Sequence, residues 1–234
     1  MTQTLKVYVG YDTREDIAWQ VARHSLLRHA SAPVEVYALR QQALRDLGLY
    51  TRASDNATTE FSLTRFLTPY LAAHDGWSIF MDCDFLVTRD ITEILGLMDP
   101  AKALYCVQHD YTPANMIKMD GKQQTVYPRK NWSSFMAFNG AHPQVKALTP
   151  AVVNGESPAF LHRFSWLDDA AIGALDREWN FLEGEYPRPA SLPMCVHYTN
   201  GGPWFENWQD VDFGDEWRAE RDLYRASVGA GAAD

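Results

Sequence analysis

Apolar positions along the chain fall into two spacings, and their order predicts an α/β fold. "LKVYV", residues 5–9, is a short apolar run closed by Gly10 and predicts a buried strand. Asp16 to Ala30 predicts a helix, with Ile17, Val21, His24 and Leu27 tracing its faces. "VEVYAL", residues 34–39, predicts a second strand, so the chain opens as β-α-β with parallel strands and a right-handed crossover. Leu63, Phe66, Leu67, Tyr70 and Leu71 recur at helical spacing behind Ser62, a predicted N-cap, and Pro69 predicts a kink. Strands follow at "IFMDCDFLV" (79–87), "ALYCVQ" (103–108) and "WSSFMAFN" (132–139), with a short helix at Ile91–Leu97 between the first two and another opened by Pro143. Ser165–Leu175 predicts a helix, "REWNFL" and "MCVHYT" two last strands, and Asp215–Ala226 a terminal helix. Residues 110–131 are polar and aperiodic and predict a mobile loop; "SVGAGAAD" predicts a disordered tail at 227–234, leaving residues 1–226 as one domain.

One strand carries unusual chemistry. "IFMDCDFLV" places Asp82 and Asp84 at the end of an apolar run, and residues two apart in a strand share a face. Two like charges there repel, and a divalent cation between them is the simplest remedy. The tripeptide alone is a weak signal, since Asp210-Val-Asp212 repeats it without an apolar strand before it. The first copy gains weight from its position after two β-α units, because open α/β sheets hold ligands beyond the carboxyl ends of their strands.

Composition narrows the partners. In 234 residues the formal net charge is −9, which argues against non-specific nucleic-acid binding. No run approaches the length of a membrane span, and "MTQTLKVYVGYD" has no apolar leader, so a cytoplasmic protein is expected. Cys83, Cys106 and Cys195 lie far apart in apolar runs, as buried free thiols do.

In order, "VYVGYD", "TRFLTPYL", "IFMDCDFLV", "WSSFMAFNG", "FSWLDDAAI" and "VHYTNGGPW" span most of the chain. Together they resemble a GT-A fold glycosyltransferase, nearest to family 8, the retaining glycogenin and bacterial galactosyltransferase-like group. The resemblance implies a mixed, mostly parallel sheet flanked by helices, with a Rossmann-like nucleotide-binding first half. It implies a metal-dependent transfer of a hexose from a UDP-sugar to a hydroxyl acceptor, with retention. Asp82, Asp84 and His197 would be metal ligands, and an imidazole beside carboxylates favours Mn²⁺, with Mg²⁺ the alternative.

The same resemblance assigns nucleotide-sugar contacts to Val9, Gly10, Tyr11 and Asp12 at the end of the first strand, to Arg65, and to Asp82 and Cys83. Asp168 and Asp169 take the catalytic positions across the sugar, although Ser165-x-x-Asp168 is also a capping-box pattern. Asp168 is read either as a nucleophile or as a group that positions the sugar during front-face attack. Trp132 and Trp204 lie in site segments and are candidates to pack on sugar rings.

One departure is informative. Family 8 enzymes read His…Lys-Pro-Trp, with the lysine on the diphosphate, but here the segment runs His197 to Gly201-Gly202-Pro203-Trp204 without a lysine. Two replacements are open: a backbone nest at Gly201 and Gly202, which is expected because it is local and needs no loop ordering, or a cation from Lys118, Arg129 or Lys130. Two other functions also stay open, a non-catalytic nucleotide- or carbohydrate-binding module and a sugar nucleotidyltransferase. The second would need a basic glycine-rich loop after the first strand, which "GYDTRED" does not provide.

Overall fold

The computed structural model describes residues 4–53, 59–110 and 128–230. Its first β-α-β unit is β1 (Leu5–Gly10), α1 (Asp16–His29) and β2 (Val34–Leu39), followed by a short helix α2 (Gln41–Asp46). The predicted helix behind Ser62 is instead a 3-10 turn (Thr64–Leu67) running into one turn of α-helix, α3 (Thr68–Leu71). Pro69 sits in the first turn of α3, where its missing N–H costs nothing, so it starts the helix rather than kinking it.

The "IFMDCDFLV" run is not one strand. It divides into β3 (Trp77–Met81) and β4 (Phe85–Val87), which belong to different sheets. Next come a 3-10 turn at Ile91–Leu97, β5 (Leu104–Val107) and β6 (Phe135–Asn139). Three short helices follow: α4 (Pro143–Lys146), α5 (Pro150–Gly155) and α6 (Pro158–His162). Thr149 and Ser157 cap the last two with their side chains, and each has proline in the first turn, a legible start signal.

The chain ends with β7 (Ile172–Leu175), β8 (Phe181–Leu182), β9 (Cys195–His197) and α7 (Gly214–Ala230). The predicted helix over 165–175 is therefore wrong. Ile172–Leu175 pairs in parallel with β5, and Gly173 lies so close under Tyr105 that a Cβ would stand 2.3 Å from its ring. A four-residue apolar run has no decisive period, and the open place beside β5 settled it. Helix α7 extends through Ala230, past the expected end at Ala226; residues 231–234 lie outside the described residues, as does most of the loop expected over 110–131.

The main sheet has six strands in the order β2-β1-β3-β6-β5-β7. Strands β1, β2 and β3 are parallel, β6 runs antiparallel to β3 and β5, and β7 is parallel to β5. Strands β3, β5 and β6 are buried almost throughout, as the interior of a sheet covered on both faces requires. A second sheet, β4-β9-β8, stands at the carboxyl end of β3.

Helix α1 packs against β4 and α7. Between α1 and α7 lies Glu220, 4% exposed, whose carboxylate accepts from Arg28 Nη2 at 2.6 Å and meets His24 Nδ1 at 2.6 Å. Burial alone would push this carboxyl up, but the hydrogen bonds from Arg28 and His24 outweigh it and hold it below the ordinary glutamate value. With the folded pKa depressed, the clasp contributes fully above about pH 4.5 and fades as pH falls through the folded value. Glu220→Ala is expected to cost about 2 kcal/mol at pH 7. Urea melts of both proteins should show that gap, and it should shrink below pH 4.5; a gap that does not change with pH sinks this account.

Candidate functional site

The two carboxylates sit where the chain leaves one sheet for the other. Met81 still pairs with β6, and the Asp82 N–H donates to Ser134 O at 3.0 Å. Phe85 then pairs with His197 on β9, and the Asp84 carbonyl accepts from Tyr198 N–H at 2.9 Å. Asp82-Cys83-Asp84 is thus a turn between strands, not strand end, and the carboxylates converge through that turn rather than by sharing a strand face. Register places the histidine: Phe85↔His197 pairing sets it beside Asp84, with the two rings stacked at 4.4 Å.

One oxygen or nitrogen from each of Asp82, Asp84 and His197 lies within 4.8 Å of the others. Opposite ligands of an octahedral Mg²⁺-type ion stand about 4.2 Å apart, so small side-chain rotations close the set. The histidine is oriented for this. Asn180 Nδ2 donates to Ser134 Oγ at 2.8 Å, which leaves Asn180 Oδ1 to accept from His197 Nδ1 at 2.9 Å. His197 Nε2 then presents its lone pair toward Asp84 Oδ1, 3.3 Å away. Two electron-pair donors facing each other call for a cation, and two carboxylates with an imidazole fit a divalent metal.

The surroundings set the charge. Arg65 is buried; its Nη1 reaches Asp82 Oδ1 and Ser133 O, each at 2.8 Å, and its Nε donates to Ser62 O. The guanidinium lies over Phe80. His162 meets Ser133 Oγ at 2.8 Å, and burial, with Arg65 beside it, pushes its pKa down to about 3. His109 meets Tyr186 Oη at 2.9 Å and is likewise pushed down to about 3 by burial, with help from His197 and Arg177.

Glu15, in the turn before α1, was not singled out by sequence. It is 2% exposed, its Oε2 has no hydrogen-bond partner among the described residues, and burial followed by the charges of Asp84 and Asp12 pushes it up to about 8. Asn180 was also missed. Neither residue carries a motif: each matters only through what the fold brings beside it.

The other expected residues divide. Val9 is core, and Gly10 is small because the Phe61 ring lies 2.5 Å from where a Cβ would be. Tyr11 donates to Asp16 Oδ1 at 2.8 Å and carries Arg40 over its ring at 3.5 Å. Asp12 is fully buried and accepts from Arg14 N, Arg14 Nε, Arg14 Nη2 and Glu60 N, which makes it a cap and a pin for that turn. Cys83 is entirely buried in the turn between the two carboxylates.

Gly201 spends its N–H on Tyr198 O at 2.9 Å, so a two-residue nest with Gly202 does not form. Gly202 admits the Trp204 ring, 1.9 Å from where a Cβ would stand. Trp204 packs against Tyr198 and Trp217, and Trp132 against Phe164. Asp168 is exposed and accepts from Gln144 Nε2 at 2.9 Å; Asp169, with its side chain 81% exposed, pairs with Arg129 at 2.5 Å. The second Asp-x-Asp, at 210–212, lies apart from the triad, with Asp212 3.7 Å from Arg188.

No protein-family model matches the chain. It is similar to Protein CDI of Arabidopsis thaliana, 50% identical over 224 residues that cover 94% of this chain and 86% of that protein. Among solved structures, the bifunctional glycosyltransferase WbbM superposes with a TM-score of 0.66 at 15% identity, over 94% of this chain and 50% of that one. The glycosyltransferase GlyE of Streptococcus pneumoniae TIGR4 gives 0.62 at 12% identity, over 99% and 64%. An active-site mutant of LgtC gives 0.59 at 11%, over 93% and 95%. The chain therefore spans half of WbbM and 64% of GlyE. The likeness is one of fold, and the fold is that of GT-A glycosyltransferases.

Two outcomes follow from this geometry. Asn180→Ala frees the His197 ring and is expected to weaken Mn²⁺ binding by about 10–100-fold, measured by calorimetry on a protein with unchanged circular dichroism; unaltered affinity removes Asn180 from the site. For Glu15 the folded pKa lies above the unfolded one, so stability is lost as pH rises from 4.5 toward 8. Glu15→Gln should therefore raise the metal-free Tm at pH 8.5 and leave it unchanged at pH 4. A Tm gain of equal size at both pH values counts against the buried-acid reading.

Proposed function

The chain belongs to the family of Protein CDI of Arabidopsis thaliana, and from its site we propose a metal-dependent glycosyltransferase that moves a hexose from a UDP-sugar to a hydroxyl acceptor with retention. The observation that carries this reading is the convergence of Asp82, Asp84 and His197 at the carboxyl end of β3, in a fold shared with glycosyltransferases. Asp82, Asp84 and His197 would hold Mn²⁺, or Mg²⁺ in its place. A bound ion supplies Lewis-acid neutralisation of the charge that builds on a departing diphosphate.

The chain's own residues prepare that step. Arg65 holds Asp82 Oδ1 and so orients that carboxylate. Asn180 fixes the His197 tautomer, with the lone pair on Nε2. Tyr11, with its ring under Arg40, and the backbone of Val9, Gly10 and Asp12 receive the nucleoside; the Cys83 backbone and Gly202 approach the phosphates. Asp168 and Asp169 face the sugar, and front-face attack assigns them positioning roles. The acceptor oxygen bonds to the anomeric carbon as the carbon–oxygen bond to the diphosphate breaks on the same side. The acceptor proton passes to the leaving phosphate oxygen.

The missing lysine is best replaced by Lys130. With the Gly201 N–H already committed, the nest loses half its donors. Lys130 is buried, and its neighbour Asn131 donates to Thr199 Oγ1 at 3.3 Å, two residues from His197.

Calorimetry with UDP tests the reading. Wild type should bind UDP tightly only with Mn²⁺. Asp84→Asn should lose about 100-fold or more while keeping its fold, because a charged ligand leaves and the shape remains. Lys130→Ala should weaken UDP more than UMP. UDP binding indifferent to metal argues for a nucleotide-binding module instead, and equal losses of UDP and UMP return the diphosphate to another cation. A screen of UDP-sugars for Mn²⁺-dependent hydrolysis names the donor.

A further inference from the structure

A second cavity lies against the loop that follows His197. It has a volume of about 370 Å³ and opens between Glu183, Asn200 and the segment 206–211. That is within the range of small-ligand pockets, roughly 300–1,000 Å³. One wall is the half-buried indole of Trp208, and Glu206 and Asp210 stand at the exposed side. The indole is fixed in place: it lies across Gly201, which has φ 139°, and a Cβ there would stand 2.8 Å from the ring.

Glu183 is the unusual element. It is 6% exposed, and its Oε1 accepts from Asp212 N–H at 3.0 Å. A largely buried carboxylate lining a cavity offers hydrogen-bond acceptors to a ligand's donors. Burial pushes this carboxyl up, against the Asp212 N–H that lowers it.

The lining selects the ligand. Its charge rejects anions. Among the described residues, the atoms needed for a metal converge only at Asp82, Asp84 and His197, so these carboxylates are too dispersed to hold an ion. A flat indole beside several acceptors suits a ring with an apolar C–H face and many hydroxyl donors. We propose that this cavity binds a carbohydrate, neutral or amino-bearing, and that the sugar held there is the acceptor. The acceptor role rests on the glycosyltransferase reading above. Position agrees: Glu183 N–H donates to His197 O at 2.9 Å, so the cavity wall and the metal-ligating strand are joined by one backbone bond.

The test uses the whole chain and a fixed panel: methyl glycosides of glucose, galactose, glucosamine and N-acetylglucosamine, with maltose and lactose. Saturation-transfer NMR and tryptophan fluorescence read sugar binding, and calorimetry reads UDP with Mn²⁺ on the same samples. At least one sugar should bind and quench fluorescence. Glu183→Gln, which keeps the Asp212 contact, and Asp210→Ala, at the exposed edge, should each weaken it about fivefold or more. Both should bind UDP and Mn²⁺ as wild type does. No sugar bound by wild type, or binding that both variants leave unchanged, overturns the site. If Glu183→Gln fails to fold, Asp210→Ala decides alone, and unchanged binding in it also overturns the site. Sugar binding without any UDP binding removes the acceptor role and the glycosyltransferase reading together, whereas UDP binding without sugar binding removes only this cavity.

Discussion

Repulsion among carboxylates is the constraint around which the site is built. Asp82, Asp84, Asp12 and Glu15 lie close together where the first sheet gives way to the second, and none is well hydrated. Left alone, such a group either takes up protons or unfolds the turn that holds it. The fold answers one residue at a time. Asp12 is neutralised by Arg14, Asp82 by Arg65, and Glu15 holds its proton. Asp84 faces His197. A cation between Asp84 and His197 would complete the balance, so on the proposed reading metal binding and the stability of this corner are one electrostatic problem.

Packing explains why the corner sits there. β3 is buried and cannot carry charge within its length, so the carboxylates come only after Met81, in the turn that changes sheets. β9 returns antiparallel to β4 and delivers His197 by register. Gly201 and Gly202 then give way to Trp208 and Trp204, whose rings occupy the space side chains would need. Trp208 also forms a wall of the neighbouring cavity, so the glycine at 201 helps to shape it.

Much of this was legible in sequence, for definite reasons. The β-α-β start, the apolar strands and the terminal helix announce themselves by period. The Asp82, Asp84 and His197 set follows from the resemblance, and the structure brings those three together. What failed is what period cannot decide. Four apolar residues at 172–175 read equally as helix or strand, and a place beside β5 chose strand. Asp12 also caps the turn before α1, accepting from Arg14 and Glu60, a role that no period announces. Glu15, Asn180 and His109 sit in stretches with no motif, and their roles exist only across distances of many residues in the chain.

The lost lysine shows how such long-range supply works. In a segment reading Gly201-Gly202-Pro203-Trp204, a long cationic side chain at either glycine would collide with Trp204 or Trp208. The aromatic packing that shapes the cavity therefore excludes the local cation, and the countercharge for a diphosphate must come from another segment. Arg65 is spent on Asp82 and two carbonyls, Arg14 on Asp12, and Arg129 on Asp169 and Arg163 O. Lys130 lies between Arg129 and Asn131, on a stretch tied by Asn131 and Ser134 to both Thr199 and Asp82. On the proposed reading the cation would come from the turn that precedes β6 and not from the loop that follows His197.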